Sequence, residues 1–179
     1  QFNGFACQFA AFGAFRGMKP DVGAPATAVV VAFVRASSGI QYLRFRPYVK
    51  HNTNGQETRS NMAVGRVFRH ERAPEVLWEV PQNLTGAILR AWLDQIANKG
   101  VVGLCSRIEM RTGRCAHALF MDFSCPKSPE ALIALEEACH KLGYTGWLLE
   151  TDRSYHFFGD ALVDGRSWLR FMGYWLLAD

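Results

Sequence analysis

From residue 101 to the end of the chain, strand-like and helix-like segments follow one another in the order β-β-α-β-β-α. The strand patterns cover residues 101–110, 115–123, 144–150 and 154–158. Ser128 can cap the first helix, with Pro129 in its first turn, and Gly143 is placed to end it. Asp164 can cap the last helix in the same way. This order predicts an α+β fold, with an antiparallel sheet and helices on one of its faces.

The residues before 101 predict a smaller α/β lobe. Residues 28–34 are dominated by β-branched and other apolar side chains, which favours a buried strand. Residues 37–39 supply turn chemistry and residues 40–49 a second strand, so we expect a hairpin. One or two short strands are predicted between residues 64 and 80. Residues 84–99 then show helical spacing, with Trp92 on the side that packs into the core.

Basic residues concentrate in and after the second arm of this hairpin. Alternation along the strand places Arg44 and Arg46 on one face, opposite Leu43 and Phe45. Between residues 42 and 72 there are seven Lys or Arg, including Lys50, against two Glu, whereas the whole chain carries a net charge of only +4. The surplus predicts either a solvated basic face or a surface that binds phosphate groups.

The composition restricts the class of protein. The 179 residues, 49% of them hydrophobic, suffice for one compact core. No apolar run is long enough for a transmembrane helix, so no membrane partner is expected. The five cysteines form no CxxC pair, which favours a reducing, cytoplasmic location over a disulfide framework. Zinc held by Cys105, Cys115, His117 and Cys125 is an alternative, but buried thiols fit this loose spacing better.

Three regions are expected along the chain. Residues 1–18 form a leader or an artefactual tail, in which phenylalanines at helical spacing predict one apolar stripe. Residues 19–100 make the N-terminal lobe of hairpin and helix, and residues 101–179 make the half with the regular strand–helix order. The start at Gln1 and the end directly after a docking helix suggest a fragment of a longer protein.

Polar side chains interrupt two of the predicted apolar strands. Ser154 and His156 are two residues apart, so a strand would point both to the same side. Asp122 is a lone carboxylate within residues 120–124. We expect these three residues to lie close together on neighbouring strands. The alternatives are a turn-capping role for Asp122 and a hydrogen-bonded strand histidine at position 156, whereas the spacing does not resemble that of a serine hydrolase.

An aspartate at the end of an apolar strand, followed by a helix, a strand and then Ser-x-His, resembles the archaeo-eukaryotic primase and primase-polymerase superfamily. The resemblance implies an RRM-like palm in residues 101–179. It implies that Asp122 is a catalytic ligand of Mg or Mn, and that His156 and Ser154 contact the phosphates of an incoming nucleotide. Such sites perform nucleotidyl transfer, which in this family serves DNA replication by making or extending primers.

The resemblance also suggests how a nucleic acid would be held. Arg153 would bind phosphate beside the Ser-x-His pair, and Arg44, Arg46 and Lys50 would neutralise the phosphates of DNA or RNA. Where the family has a second aspartate, this chain has Ser124. Three functions therefore stay open: a nucleotidyltransferase of the primase type, an inactive module that binds nucleotides or nucleic acid with the same fold, or a protein-interaction domain.

Overall fold

The computed structural model describes residues 9–12, 24–48, 74–97, 101–150 and 154–176. Within these residues the chain forms eight strands and four helices. The strands are β1 (Phe9–Phe12), β2 (Ile40–Tyr48), β3 (Val76–Glu79), β4 (Val101–Leu104), β5 (Arg107–Met110), β6 (Cys115–Asp122), β7 (Gly146–Glu150) and β8 (Tyr155–Val163). The helices are α1 (Ala26–Ala36), α2 (Gly86–Ala97), α3 (Pro129–Lys141) and α4 (Gly165–Leu176).

All eight strands belong to one antiparallel sheet in the order β1-β7-β8-β6-β5-β2-β3. Strand β4 pairs with the end of β2, next to the stretch of β2 that pairs with β5. The predicted strand at 101–110 is therefore one run alongside β2, interrupted only at Cys105 and Ser106. The prediction of an α+β fold with an antiparallel sheet is confirmed.

Helices cover both faces of this sheet. On one face, which we call the α1 face, helices α1 and α2 pack on side chains such as Phe120 and Phe158. On the other, the α3 face, helices α3 and α4 pack on the alternate side chains, among them Leu119 and Phe157. The two helices that follow residue 101 thus share one face, as expected. The residues before 101 contribute the helices of the opposite face and, through β1, β2 and β3, extend the same sheet.

The prediction of a strand at residues 28–34 is wrong, because this segment lies within helix α1. Val29 and Phe33 are fully buried, and the ring centroids of Phe33 and Phe158 are 5.2 Å apart. A helix that packs on the sheet and on α2 at the same time is apolar on most sides. Such a run cannot be told from a buried strand by periodicity, and strand propensity yields to this context. The predicted hairpin is consequently a helix, a turn and strand β2.

Residues 9–12 also differ from the prediction, since they form edge strand β1 beside β7 rather than part of a helix. The other helix predictions are confirmed. The Ser128 hydroxyl accepts a hydrogen bond from the Ala131 N–H at 3.1 Å, and Asp164 caps α4 by accepting one from the Ser167 N–H at 2.7 Å. In the described part of the chain, no helix is long and apolar enough to cross a bilayer.

Ion pairs join strands β2 and β5 to the residue that precedes β3. Arg44 contacts Glu75 at 3.0 Å and also pairs with Glu109, while Arg46 contacts Glu75 at 2.8 Å. The hydrogen bond with Glu109, together with that to Glu75, raises the pKa of Arg44. Arg44 in turn lowers the pKa of Glu75 below its ordinary value. We call these four residues the Arg44 network.

Replacing Gly146 by alanine is expected to destabilise the fold. A Cβ on Gly146 would lie 2.8 Å from the Cα of Gly159 and would also collide with the carbonyl oxygen of Phe158. Relieving this overlap requires movement of backbone in β8. We expect Gly146→Ala to cost about 2–3 kcal/mol of unfolding free energy and to lower Tm by about 5–10 °C. Thermal unfolding followed by circular dichroism measures the shift.

Gly173→Ala is the matched control, because a Cβ on this glycine in helix α4 meets no other atom within 4 Å. Alanine has the higher helix propensity, so this variant should gain about 0.5–1 kcal/mol. Equal Tm values for the two variants would contradict the close contact between Gly146 in β7 and the backbone of β8.

Arg44→Gln is expected to destabilise the fold in a pH-dependent way. The pKa of Glu75 is lower in the folded state than its ordinary value of 4.5, so its stabilising contribution is complete above that pH and is lost as the pH falls through the folded pKa. We expect a cost of about 1–2 kcal/mol at neutral pH. The difference from the original protein should narrow as the pH falls below 4.5, the ordinary pKa of this carboxyl group, towards the lower pKa that Glu75 has in the folded state. Urea unfolding at a series of pH values measures it.

Arg90→Gln is the control for this experiment. Arg90 lies exposed on helix α2 and makes no ion pair within the described residues, and its replacement removes the same charge. It should change the unfolding free energy by less than about 0.5 kcal/mol. The Arg44 network would lose its assigned role if both variants were destabilised equally at every pH.

Candidate functional site

The register of β6 and β8 brings Asp122 directly opposite His156. The His156 Nε2 atom lies 2.9 Å from Oδ1 of Asp122, within hydrogen-bonding distance. The side chains are 46% and 78% exposed respectively, so solvent reaches both. The two side chains are in close contact, and both remain accessible to a ligand. The sequence prediction that they lie on neighbouring strands is confirmed.

Ser154 closes the chain around this pair rather than extending the strand. Its hydroxyl donates a hydrogen bond to the backbone carbonyl of Phe123, just after β6 ends. The N–H of Phe123 donates to the carbonyl of Tyr155 at 3.0 Å. These bonds tie the chain leaving β6 to the chain entering β8. They hold Asp122 and His156 in register where the two strands would otherwise separate.

The aromatic residues around the pair belong to the core. Tyr155, Phe157 and Phe158 are each less than 9% exposed, which confirms the prediction that they pack rather than stack on bases. The Tyr155 hydroxyl donates to the carbonyl of Ser128 at 3.1 Å, at the start of α3. The residue next to His156 therefore connects the site to the helix that follows β6.

Glu150 cannot supply a second carboxylate to Asp122. It lies opposite Tyr155 in the β7–β8 pairing, whereas His156 lies opposite Leu149. Adjacent residues in a strand point to opposite faces, so Glu150 lies on the α3 face and His156 on the α1 face. Glu150 is also paired with Lys127, whose Nζ lies 2.6 Å from its Oε1. Ser124, two residues after Asp122, is exposed and carries no carboxylate.

The donor set fits one magnesium ion better than two. Within residues 9–12, 24–48, 74–97, 101–150 and 154–176, no three His, Cys, Asp or Glu side chains come together as metal ligands. Magnesium is often held by a single carboxylate together with water and the phosphates of a substrate. Asp122 can act in this way, but two adjacent ions would need a further acid.

The same finding removes support for the zinc alternative among the described cysteines. Cys139 is buried, and burial raises the pKa of its thiol to about 12. Cys105 is half-buried and burial raises its pKa as well, whereas Cys115 is exposed. The expectation of buried thiols, made for Cys105, Cys115 and Cys125, holds only in part: Cys105 and Cys125 are half-buried, and Cys115 is exposed. The Cys115 sulfur accepts a hydrogen bond from Arg107 at 3.3 Å.

The predicted basic residues are placed as follows. Leu43 and Phe45 are buried, so Arg44 and Arg46 share the other face of β2, as the alternation predicted. Both guanidinium groups are engaged by carboxylates of the Arg44 network. Lys50 and Arg153 lie outside the described residues. Phosphate binding by these four residues stays a prediction.

Sequence reasoning did not single out Lys127, a cation five residues after Asp122. Its Nζ lies 2.6 Å from Oε1 of Glu150, whose side chain lies on the α3 face, so this ion pair is on the face of the sheet opposite His156. A lone lysine in a loop gives no periodic signal, and its partner is 23 residues away in the sequence.

The comparisons with known proteins point to a single family. Residues 80–179, more than half of the chain, match the family model described as archaeo-eukaryotic primase 1D-like. No curated protein and no solved structure gives a significant match. The matched range contains β6, β8 and the paired Asp122 and His156. The chain therefore belongs to the archaeo-eukaryotic primase-like family.

Proposed function

We propose that this domain binds nucleotides through their phosphate groups at the exposed Asp122–His156 pair. The observation that carries the proposal is this contact of 2.9 Å at the open end of β6 and β8, in a chain of the primase-like family. An imidazole that solvent reaches can donate a hydrogen bond to a phosphate oxygen. Family membership supports a phosphorylated ligand over other anions.

The two side chains would divide the work of binding. In its protonated form His156 donates from both ring nitrogens, and one of these donors can turn from Asp122 to a phosphate oxygen. Asp122 would hold a Mg or Mn ion, which supplies positive charge to the polyphosphate when bound. Ser154 keeps both residues in place through its hydrogen bond to Phe123.

Nucleotidyl transfer to a DNA or RNA strand would need more than these residues. Glu150 lies on the opposite face and Ser124 has no charge, so a second acid must come from outside the described residues. Among the acids outside the described residues, Asp152 and Asp179 are the nearest in sequence to the Ser-x-His motif. If one of them completes the site, the domain extends or synthesises primers.

A binding module without turnover is the second candidate. This candidate is favoured because the chain has one carboxylate, Asp122, where the family pattern has two; Ser124 stands at the second position. In this case nucleotides or nucleic acid would bind at the same pair, and the basic residues around position 50 would contact the strand. The two candidates differ in turnover, not in where the ligand binds.

His156→Ala is expected to weaken nucleotide binding. Loss of one charge-assisted hydrogen bond should raise the Kd for a nucleoside triphosphate about tenfold or more. Isothermal titration calorimetry in the presence of magnesium measures the change. His140→Ala is the matched control, since His140 is exposed on helix α3. The proposal fails if both variants bind as tightly as the original protein or if the original shows no binding.

Asp122→Asn distinguishes the two candidates. A polymerase should extend a primed template in magnesium or manganese, and this variant should lose at least about a hundredfold in rate. Asp94→Asn, an exposed change on helix α2, should retain full activity. Nucleotide binding that persists in EDTA, with no extension by the original protein, would identify the binding module.

A further inference from the structure

A concave pocket of about 460 Å³ lies at the end of the sheet away from Asp122. It is formed where α1 turns into β2, where the chain leaves β3, and where β5 turns towards β6. Strand β6 begins at Cys115 beside β5 and reaches Asp122 seven residues later. At about 3.3 Å per residue, the pocket and the candidate site are roughly 23 Å apart.

The side chains that line the pocket are cationic or neutral. The lining residues include two arginines, Arg35 and Arg111, and four polar neutral residues, Ser37, Ser38, Gln82 and Asn83. Among the described residues that line it, none is acidic. The pocket therefore differs from the Arg44 network, in which each arginine is already paired with glutamate.

Hydrogen bonds hold together the chain segments around Arg35 and Arg111. An Nη atom of Arg35 donates to the carbonyl of Leu84 at 3.0 Å, which ties the end of α1 to the turn after β3. A guanidinium group has five N–H donors, so one such bond leaves others for a ligand. The Arg111 N–H donates to the carbonyl of Gly39 at 2.7 Å. The Arg111 side chain makes no ion pair within the described residues.

The electrostatic balance favours an anion. Helix α1 ends at this pocket, and the carbonyls of a helix C-terminus amount to about half a negative charge. Two guanidinium groups carry two full positive charges, so the surplus is about one and a half charges. Gly39 has a φ of 87°, a conformation that glycine adopts without strain and that shapes the turn between the two arginines.

We propose that this pocket is a second anion site, which binds the phosphate groups of a small phosphorylated molecule. The planar guanidinium groups match the geometry of phosphate oxygens. The volume falls in the range of pockets for small ligands, and a concave site at the junction of three turns suits a compact molecule better than a continuous strand. The inference is independent of the function proposed for Asp122 and His156.

Inorganic pyrophosphate is the probe for this site. In a titration followed by amide chemical shifts, pyrophosphate should perturb the N–H signals of Ser38, Gly39 and Arg111 in a saturable way at millimolar concentration. Arg111→Gln should raise the Kd about tenfold or more, since it removes a charged partner of the ligand. A nucleoside diphosphate is tested in parallel. If it binds more tightly than pyrophosphate, the ligand is a nucleotide; if the two bind equally, the site recognises the phosphate groups alone.

Arg114→Gln is the matched control, because Arg114 is exposed in the same turn but does not line the pocket. It should change the Kd less than twofold. The inference is overturned if no local perturbation occurs, or if both variants weaken binding equally, which would mean diffuse attraction to basic charge. Abolition of the signal by His156→Ala would place the pyrophosphate at the other site, which overturns this inference and leaves the proposed function standing.

Discussion

The structure depends on the pairing of β6 with β8 at the centre of the sheet. These two strands are buried on both faces: Phe120 and Phe158 pack beneath α1, and Leu119 and Phe157 pack beneath α3 and α4. Since a shift by one residue would move every side chain to the other face, burial on both faces fixes the register. That register is what sets Asp122 opposite His156. An exposed polar pair is thus positioned by apolar contacts that it does not make itself.

Sequence reasoning succeeded where local chemistry decides the structure. Ser128 and Asp164 cap helices because their short oxygen-bearing side chains accept hydrogen bonds from free N–H groups, and this needs no knowledge of the rest of the fold. It failed at residues 28–34, where valine-rich sequence forms helix α1. There the tertiary setting, a helix enclosed between a sheet and another helix, outweighed the intrinsic preference of β-branched residues.

The candidate site was predictable in part. Alternation along a strand predicted that Arg44 and Arg46 share one face. The order of the elements predicted that the strand of Asp122 neighbours the strand of His156. The partners of these residues could not be read from the sequence. Glu75 and Glu109, which neutralise Arg44, are 31 and 65 residues away from it. Whether Glu150 joins Asp122 is decided by the face of β7 on which it lies, and only the strand register shows that.

The residues that match the family model are fewer than the residues that form the core, because part of the α1 face is covered by segments that precede the match. The family match begins at residue 80, but α1, β2 and β3 all precede it. A chain trimmed to the matched residues would expose the apolar side chains of Phe120, Phe158 and Trp147, which α1 and its neighbours bury. Such a fragment would keep the motif residues and lose seven of the fifteen buried residues that form the core on the α1 face. Residue 80, where the family match begins, is therefore not a suitable start for a truncated protein that is meant to fold.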